Sequence, residues 1–239
     1  MLDFTEGIVL KTTKYSESSI IAKIFTKKYG TLSFIIPGIR SSKNKQKGNL
    51  FEPINTLNLE IYFREQRNLN RIKTYHIAHI YKQLPFDFTK RSIALFCVEL
   101  MAKCLKEQEI NETLYNYFAA FLFDLDEKND ALENKPLFFL LETASILGFE
   151  PSLQNILQGN YFNLENGRFE NSIITHSCLS AYDTSLFKQM LAMYYDKQTL
   201  KFNSTERKIV LDNLLLYFRW HVTDFFELKT PAILSEILR

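Results

Sequence analysis

The sequence predicts a two-part α+β chain, a small closed β-barrel followed by an α-helical domain. Three observations carry that prediction. Apolar residues alternate with a period of two in the first eighty residues, and the period lengthens to three and four after Pro85. The formal charge also changes sign near that point, from +7 over residues 1–79 to −5 over the other 160. With 239 residues, 46% of them hydrophobic and 23% charged, the chain is long enough to bury a real core. These values also exclude a disordered chain.

Ile8–Tyr15 and Ile20–Lys27 are rich in β-branched residues and read as strands, and Tyr29-Gly30 offers a turn into a third strand, Thr31–Ile36, which Pro37-Gly38 stops. Leu57, Leu59, Ile61 and Phe63 alternate with Asn58, Glu60, Tyr62 and Arg64, the pattern of a half-buried fourth strand. Leu69–Ala78 supplies a fifth, which simple alternation divides into Arg71, Lys73 and Tyr75 on one face and Ile72, Thr74 and His76 on the other. Five short strands in eighty residues suit a closed barrel, because closure removes exposed edges. The domain boundary is expected at residues 80–86, giving domains of 1–80 and 81–239.

Beyond it, Phe88, Ile93, Phe96, Cys97, Leu100, Met101 and Cys104 recur at helical spacing, with Asp87 or Thr89 placed to cap the start. Further helices are expected at Glu112–Leu125, Pro136–Leu147, Thr184–Tyr195, Thr205–Phe226 and Ala232–Leu238, with Asp124–Asn134 as a polar connector. Pro136 suits a first helical turn and Gly148 a C-terminal cap.

The concentrated positive charge points to a polyanion partner for the first part only. Its sharpest expression is Gly38-Ile-Arg-Ser-Ser-Lys-Asn-Lys-Gln-Lys-Gly48, with Arg40, Lys43, Lys45 and Lys47 and no acid among them. Such a loop can follow a phosphate backbone without reading sequence. Lys11, Lys14, Lys23, Arg64, Arg67, Arg71 and Lys73 add the same sign in the same domain, and Tyr62 and Tyr75 lie close enough in sequence to stack unpaired bases. Tyr15 is another candidate for stacking, whereas Phe34 reads as barrel core.

Other chemistry has little material. Walker A, Gly-x-Gly-x-x-Gly and Gly-x-Ser-x-Gly motifs are missing, so no nucleotide-dependent or hydrolytic enzyme is predicted. His76, His79, His176 and His221 are dispersed, and Cys97, Cys104 and Cys178 are too scattered for a disulfide framework. Cys97 and Cys104 sit two turns apart on one helix and read as buried thiols, and His176-Ser-Cys178 lacks the partners for a tetrahedral zinc, so no metal or other cofactor is expected. No run of eighteen apolar residues occurs and the start lacks a signal-peptide pattern, which leads to the expectation of a cytoplasmic protein without membrane contact.

Taken in order along the chain, several segments resemble the RecO family of bacterial recombination mediators. They are Glu6-Gly-Ile-Val-Leu10, Tyr15-Ser-Glu-Ser18, Phe25-Thr-Lys-Lys-Tyr-Gly30 and Pro37-Gly-Ile-Arg40 with its Lys/Ser loop. Leu147-Gly-Phe-Glu-Pro151, Tyr161-Phe-Asn-Leu-Glu-Asn-Gly-Arg-Phe169, Leu216-Tyr-Phe-Arg-Trp-His221 and Glu227-Leu-Lys-Thr230 continue the match. The resemblance implies an OB-fold barrel and a nucleoid-associated, non-enzymatic protein that binds single- and double-stranded DNA and anneals complementary strands. It also implies work with RecR to help RecA displace single-strand-binding protein (SSB), whose acidic, Phe-ended tail would dock on the helical domain. For that tail, Arg207, Lys208 and Arg219, near Tyr217 and Trp220, are the candidate partners.

The chain departs from the family pattern in one respect. Many members carry a four-cysteine zinc site in the segment corresponding to Ser152–Thr184, which here holds only Cys178. Packing through Tyr161, Phe162, Leu164 and Phe169 is expected to hold this zinc-less insert instead. The rival reading to a DNA mediator is a protein-interaction adaptor whose basic barrel does not act on DNA directly; an enzyme with an unrecognised site is a further rival.

Overall fold

A computed structural model of the chain describes residues 2–39, 48–65, 68–129, 131–173, 175–198, 201–225 and 227–238. Strands β1 (Leu2–Lys14), β2 (Ile20–Thr26), β3 (Gly30–Ile36), β4 (Thr56–Tyr62) and β5 (Asn70–Ile77) close into a barrel in the order β1-β2-β3-β5-β4. Every pairing is antiparallel except β3 with β5, which closes the barrel in parallel. Alternation turns Ala22, Ile24, Leu32, Phe34, Ile36, Leu57, Leu59 and Ile61 into a common core with Val9, Ile39 and Phe51. Phe34 is fully buried in it, as the sequence predicts.

Two bulges interrupt the alternation. In β1 the register shifts between Val9 and Lys11, and Ile8, Val9 and Leu10 are buried consecutively. Val9 belongs to the barrel core, while the other two lie outside that cluster on a strand against which helix α1 (Phe88–Cys104) packs. In β5, Thr74 pairs with Glu60 but Ile72 pairs with Ile61, so Lys73 is an extra residue. The extra residue reverses the pleat beyond it. Arg71, Lys73, Thr74 and His76 therefore face solvent, and Ile72, Tyr75 and Ile77 pack toward the core. This corrects the face assignment expected from strict alternation, which put Tyr75 with the cations.

Residue contacts divide the chain into two compact units, 1–129 and 130–239. The first contains the barrel, α1 and α2 (Glu112–Glu127). Asp87 caps α1 by accepting from the Lys90 N–H at 2.9 Å, and Asn111 caps α2 through the Leu114 N–H at 2.9 Å. Asp124–Glu127, expected in the connector, form the last turn of α2. Tyr115 ties α2 to the barrel, donating to Glu6 Oε1 at 2.9 Å and meeting Phe25 edge-on at 5.4 Å.

The second unit contains α3 (Lys135–Ile146), the hairpin β6 (Tyr161–Asn163) and β7 (Arg168–Glu170), α4 (Ala181–Tyr195), α5 (Ser204–His221) and α6 (Thr230–Ile237). Pro136 occupies the first turn of α3 and Gly148, at φ +85°, follows its end; there the Phe149 N–H reaches back to the Ala144 carbonyl at 2.9 Å. An Asn203–Glu206 capping box starts α5. The apolar pattern of α5 predicts a helix to Phe226, but the helix stops at His221. Val222 is extended, and Asp224, at φ +56°, turns the chain so that Phe225 folds back within 5.7 Å of Phe218.

Candidate nucleic-acid interface

The outer wall of the barrel sorts the predicted cations by whether an acid already holds them. Lys11 and Lys14 lie on the second half of β1, where the strand pairs with β2 alone, and both are exposed. Arg71 is exposed opposite Tyr62 on β4 and beside Ile35 on β3. Lys11, Lys14 and Arg71 have no ion-pair or hydrogen-bond partner among the described residues. Lys73 does: its ammonium meets Glu60 Oε1 at 2.9 Å, and Thr74 donates to the other carboxylate oxygen at 3.1 Å. Lys28 pairs with Asp3 at 3.2 Å and Lys27 with Glu112 at 3.5 Å.

Arg40, Lys43, Lys45 and Lys47 lie outside the described residues. Ile39, 3% exposed, and Phe51, 1% exposed, bracket that stretch, and both belong to the barrel core, so each side of the basic segment is anchored on the barrel.

Lys23, opposite Lys11, reaches across to the Ala102 carbonyl at 3.4 Å. Burial pushes its pKa down; Glu107 works against this, while Lys11 and Lys103 repel it. Lys103, at the end of α1, is thus a neighbour of the barrel cations. Its helical spacing hides that proximity in the sequence.

Among the aromatics, Tyr62 (49% exposed) and Tyr15 (60% exposed) stand at the surface. Tyr75 is half-buried with its ring edge-on to Phe51 at 4.8 Å, and burial raises its pKa. The sequence also gave no warning of Phe4, which is 65% exposed on β1 opposite Glu60.

In the second unit the three candidate partner-binding residues have different surroundings. Arg207 donates to the Leu238 carbonyl at 2.5 Å and the Phe202 carbonyl at 3.0 Å, so it fastens α6 rather than presenting a free fork. Lys208 pairs with Asp212 one turn on, at 2.6 Å. Arg219 is exposed and lines, with Lys208, a groove of about 380 Å³ floored by Leu215, Leu216, Phe225 and Leu228. Tyr217 is core, donating to the Phe149 carbonyl at 2.6 Å, whereas Trp220 is exposed.

The segment Ser152–Thr184 is held by aromatic packing and backbone pairing. Phe162, Leu164 and Phe169 are buried, Tyr161 is half-buried, and the Phe162 ring stacks on Phe187 at 4.4 Å. Asn163 Oδ1 accepts from the Ser177 hydroxyl at 3.2 Å and the Glu165 N–H at 3.0 Å, closing the hairpin. Among the described residues no group of three or more His, Cys, Asp or Glu is placed to hold a metal ion. Cys97 and Cys104 are buried, which pushes both thiols far up. Among the described residues no helix is long and apolar enough to cross a membrane.

Residues 1–81 match the family model described as Recombination protein O N terminal, and residues 85–229 match Recombination protein O C terminal. The chain is 32% identical to the DNA repair protein RecO of Flavobacterium psychrophilum over 235 residues, 98% of each chain. It is also 32% identical to that of Phocaeicola vulgatus over 239 residues and 31% identical to that of Bacteroides fragilis over 240, each alignment covering 99% of both chains.

Proposed function

The chain belongs to the recombination protein O (RecO) family, and on that premise we propose that it is a DNA repair and recombination mediator with no catalytic step of its own. It binds single- and double-stranded DNA through the barrel and anneals complementary strands by neutralising the phosphates of both. The observation that carries this reading is the set of exposed cations Lys11, Lys14 and Arg71, without a partner among the described residues, in a domain whose sequence adds Arg40, Lys43, Lys45 and Lys47 with the same sign. A cation without an acid partner is available to replace the counterions of a phosphate. Lys73, held by Glu60, contributes less.

The second unit supplies the protein contacts in this reading. The groove between α5 and α6 combines an apolar floor with Arg219 and Lys208, the chemistry that an acidic peptide ending in Phe requires. Docking of the SSB tail there, with RecR and RecA as partners, would let the protein act where SSB covers a gap. Asp212 and Glu227 on the same rim favour a peptide whose carboxylates approach from the Arg219 side.

Binding of an oligonucleotide at several salt concentrations tests the DNA reading. If about five phosphates of a single strand are neutralised, log K falls against log salt with a slope of roughly −3.5. A salt-insensitive affinity, or unchanged binding after Lys11, Lys14 and Arg71 become alanine together with Arg40, Lys43, Lys45 and Lys47, refutes it. A strand-annealing assay with and without SSB, and competition between poly-dT and an SSB-tail peptide, separate the mediator from an adaptor that binds protein alone.

A further inference from the structure

In OB-fold barrels nucleic acid commonly lies across the outer face of strands 2 and 3. Here that face is occupied in part by the protein's own chain. Lys23 on β2 bonds the Ala102 carbonyl, the Ser33 hydroxyl on β3 donates to Glu107 at 3.3 Å, and the Gln108 N–H bonds the Thr31 carbonyl at 3.0 Å. Gly30 packs so closely that a Cβ there would stand 2.2 Å from the Glu109 carbonyl oxygen.

A different face of the same barrel is open except at its Glu6 end, where Glu6 accepts from Tyr115 of α2. On β1, β4 and β5 the outward residues form three cross-strand rows: Leu2 with Tyr62 and Arg71, Phe4 with Glu60 and Thr74, and Glu6 with Asn58 and His76. Leu2, Phe4 and Tyr62 are exposed apolar or aromatic side chains on adjacent strands. Phe4 and Tyr62 are diagonal neighbours across the β1–β4 pair, a separation of roughly 7 Å that aromatic rings can span. Arg71, without an ion pair or hydrogen bond among the described residues, stands opposite Tyr62. Glu60, the acid in the middle of the face, has both oxygens engaged by Lys73 and Thr74, which lowers its pKa and compensates its charge. Beside Phe4 the surface dips into a cleft of about 490 Å³ whose lining includes Asn58, Thr74 and His76.

We infer that this β1–β4–β5 face is a stacking platform for the unpaired bases of single-stranded DNA, with Phe4 and Tyr62 each carrying a base and Arg71 holding the adjoining phosphate. The inference rests on the DNA-binding reading above and adds to it the face used and the form of DNA preferred. A polyanion with exposed π-faces is the one occupant that suits paired aromatics, a free guanidinium and a compensated acid together. Duplex DNA, its bases stacked inside, gains only the Arg71 contact.

The test uses the full chain and three fluorescein-labelled probes: a 20-nucleotide oligo-dT, an abasic strand of the same length, and a 20-base-pair blunt duplex. The wild type is expected to bind oligo-dT more tightly than the abasic strand. Phe4→Ala and Tyr62→Ala each weaken oligo-dT binding about tenfold and together abolish its advantage, while duplex and abasic affinities move less than twofold. Tyr62→Phe restores most of the loss. Both side chains are exposed, so unchanged melting of the variants verifies the fold. A wild type that binds all three probes equally, or a double variant that binds oligo-dT like the wild type, overturns the platform and leaves the DNA reading standing. A wild type that binds no probe overturns both. Loss of self-association in the double variant, with DNA affinity unchanged, would assign the face to a second copy of the chain and also overturn it.

Discussion

Asp126 is the residue whose removal should damage the first unit most for its size. It is 1% exposed at the end of α2, and its carboxylate accepts from the backbone N–H groups of Lys82, Gln83 and Leu84, each at 2.8 Å. Lys90, fully buried on α1, donates to the Asp126 carbonyl at 3.0 Å and to Gln83 Oε1 at 2.8 Å. The carboxylate thus fastens the segment that leaves the barrel to the end of α2, and the Lys90 ammonium ties that segment and the Asp126 carbonyl to α1. Asp126→Ala leaves three backbone donors, that of Leu84 buried, without a charged acceptor, and removes the negative charge near the buried Lys90 ammonium. Hydrogen bonds to charged groups are worth about 1.5–3 kcal/mol each but are not additive, and three of them converge on this carboxylate. A loss of about 3–5 kcal/mol is expected, out of the roughly 5–15 that stabilise a domain. Asp126→Asn keeps one acceptor oxygen and should lose about half as much. The only tryptophan, Trp220, lies in the other unit and its fluorescence will miss the event. Urea unfolding followed by circular dichroism is therefore paired with hydrogen exchange at the amides of Lys82, Gln83 and Leu84. A loss below about 1 kcal/mol with those amides still protected would show that the latch does not hold the segment.

Acid should unfold the first unit through the same groups. Burial alone would raise the Asp126 carboxyl, but the three N–H donors and Lys90 outweigh it and hold it low, while hydrogen bonds from Tyr29, the Phe4 N–H and Lys28 bring Asp3 to about 2. Folded pKa values below the unfolded ones contribute stability above about pH 4 that disappears as pH falls through the folded values; a melting temperature unchanged between pH 5 and pH 2 refutes this. Gly30→Ala, at φ +65° and against the Glu109 carbonyl, should cost about 2–3 kcal/mol, and wild-type melting would disprove the close approach. Tyr115→Phe removes the bond to Glu6 and should cost about 1 kcal/mol, with Glu6→Gln coupling to it in a double-mutant cycle; independent effects would show the bond to be idle. Arg71→Ala should lower the salt slope for single-stranded DNA by about 0.7 and Lys73→Ala by clearly less; equal effects would show that the Glu60 pair does not withhold Lys73 from phosphate.

The barrel was legible in the sequence because its information is local. Ala22 and Ile24, or Leu57, Leu59 and Ile61, announce a buried face by spacing alone, and Pro136 and Gly148 mark the ends of α3 by their own backbone preferences. Two of the failures come from residues that break the period. Lys73 bulges out of β5 and turns Tyr75 inward, although Arg71, Lys73 and Tyr75 look equivalent in the sequence. Val222 and Asp224 end α5 while the apolar pattern runs on to Phe226. The β6–β7 hairpin has only three residues per strand, too few for a period to register, and it is defined by the non-local pairing of Phe162 with Phe169. Phe4 lies before the strand expected at Ile8–Tyr15, and only the pairing of Leu2–Ile8 with β4 places it on the barrel wall.

A net charge counts every cation equally, and the fold does not. Of the basic residues behind the +7, Lys27, Lys28 and Lys73 are engaged by Glu112, Asp3 and Glu60, and Lys23 bends into the protein toward Ala102. Among the described residues Lys11, Lys14, Arg64 and Arg71 remain for a partner. An engaged cation can meet a phosphate only by giving up its acid, so its net gain is small, whereas a free one releases counterions outright. Among the described residues the charge available to a polyanion is thereby narrowed to a few positions on the wall. The paired cations have their own consequence: each pair silences an acid that would otherwise repel DNA. Glu60 lies between Phe4 and Thr74 on the open face, and an uncompensated carboxylate there would oppose any polyanion reaching the aromatics. Lys73, displaced outward by the bulge that hid Tyr75, is the residue that compensates it. The same irregularity therefore removes one aromatic from the surface and makes the surface around the others acceptable to a nucleic-acid strand.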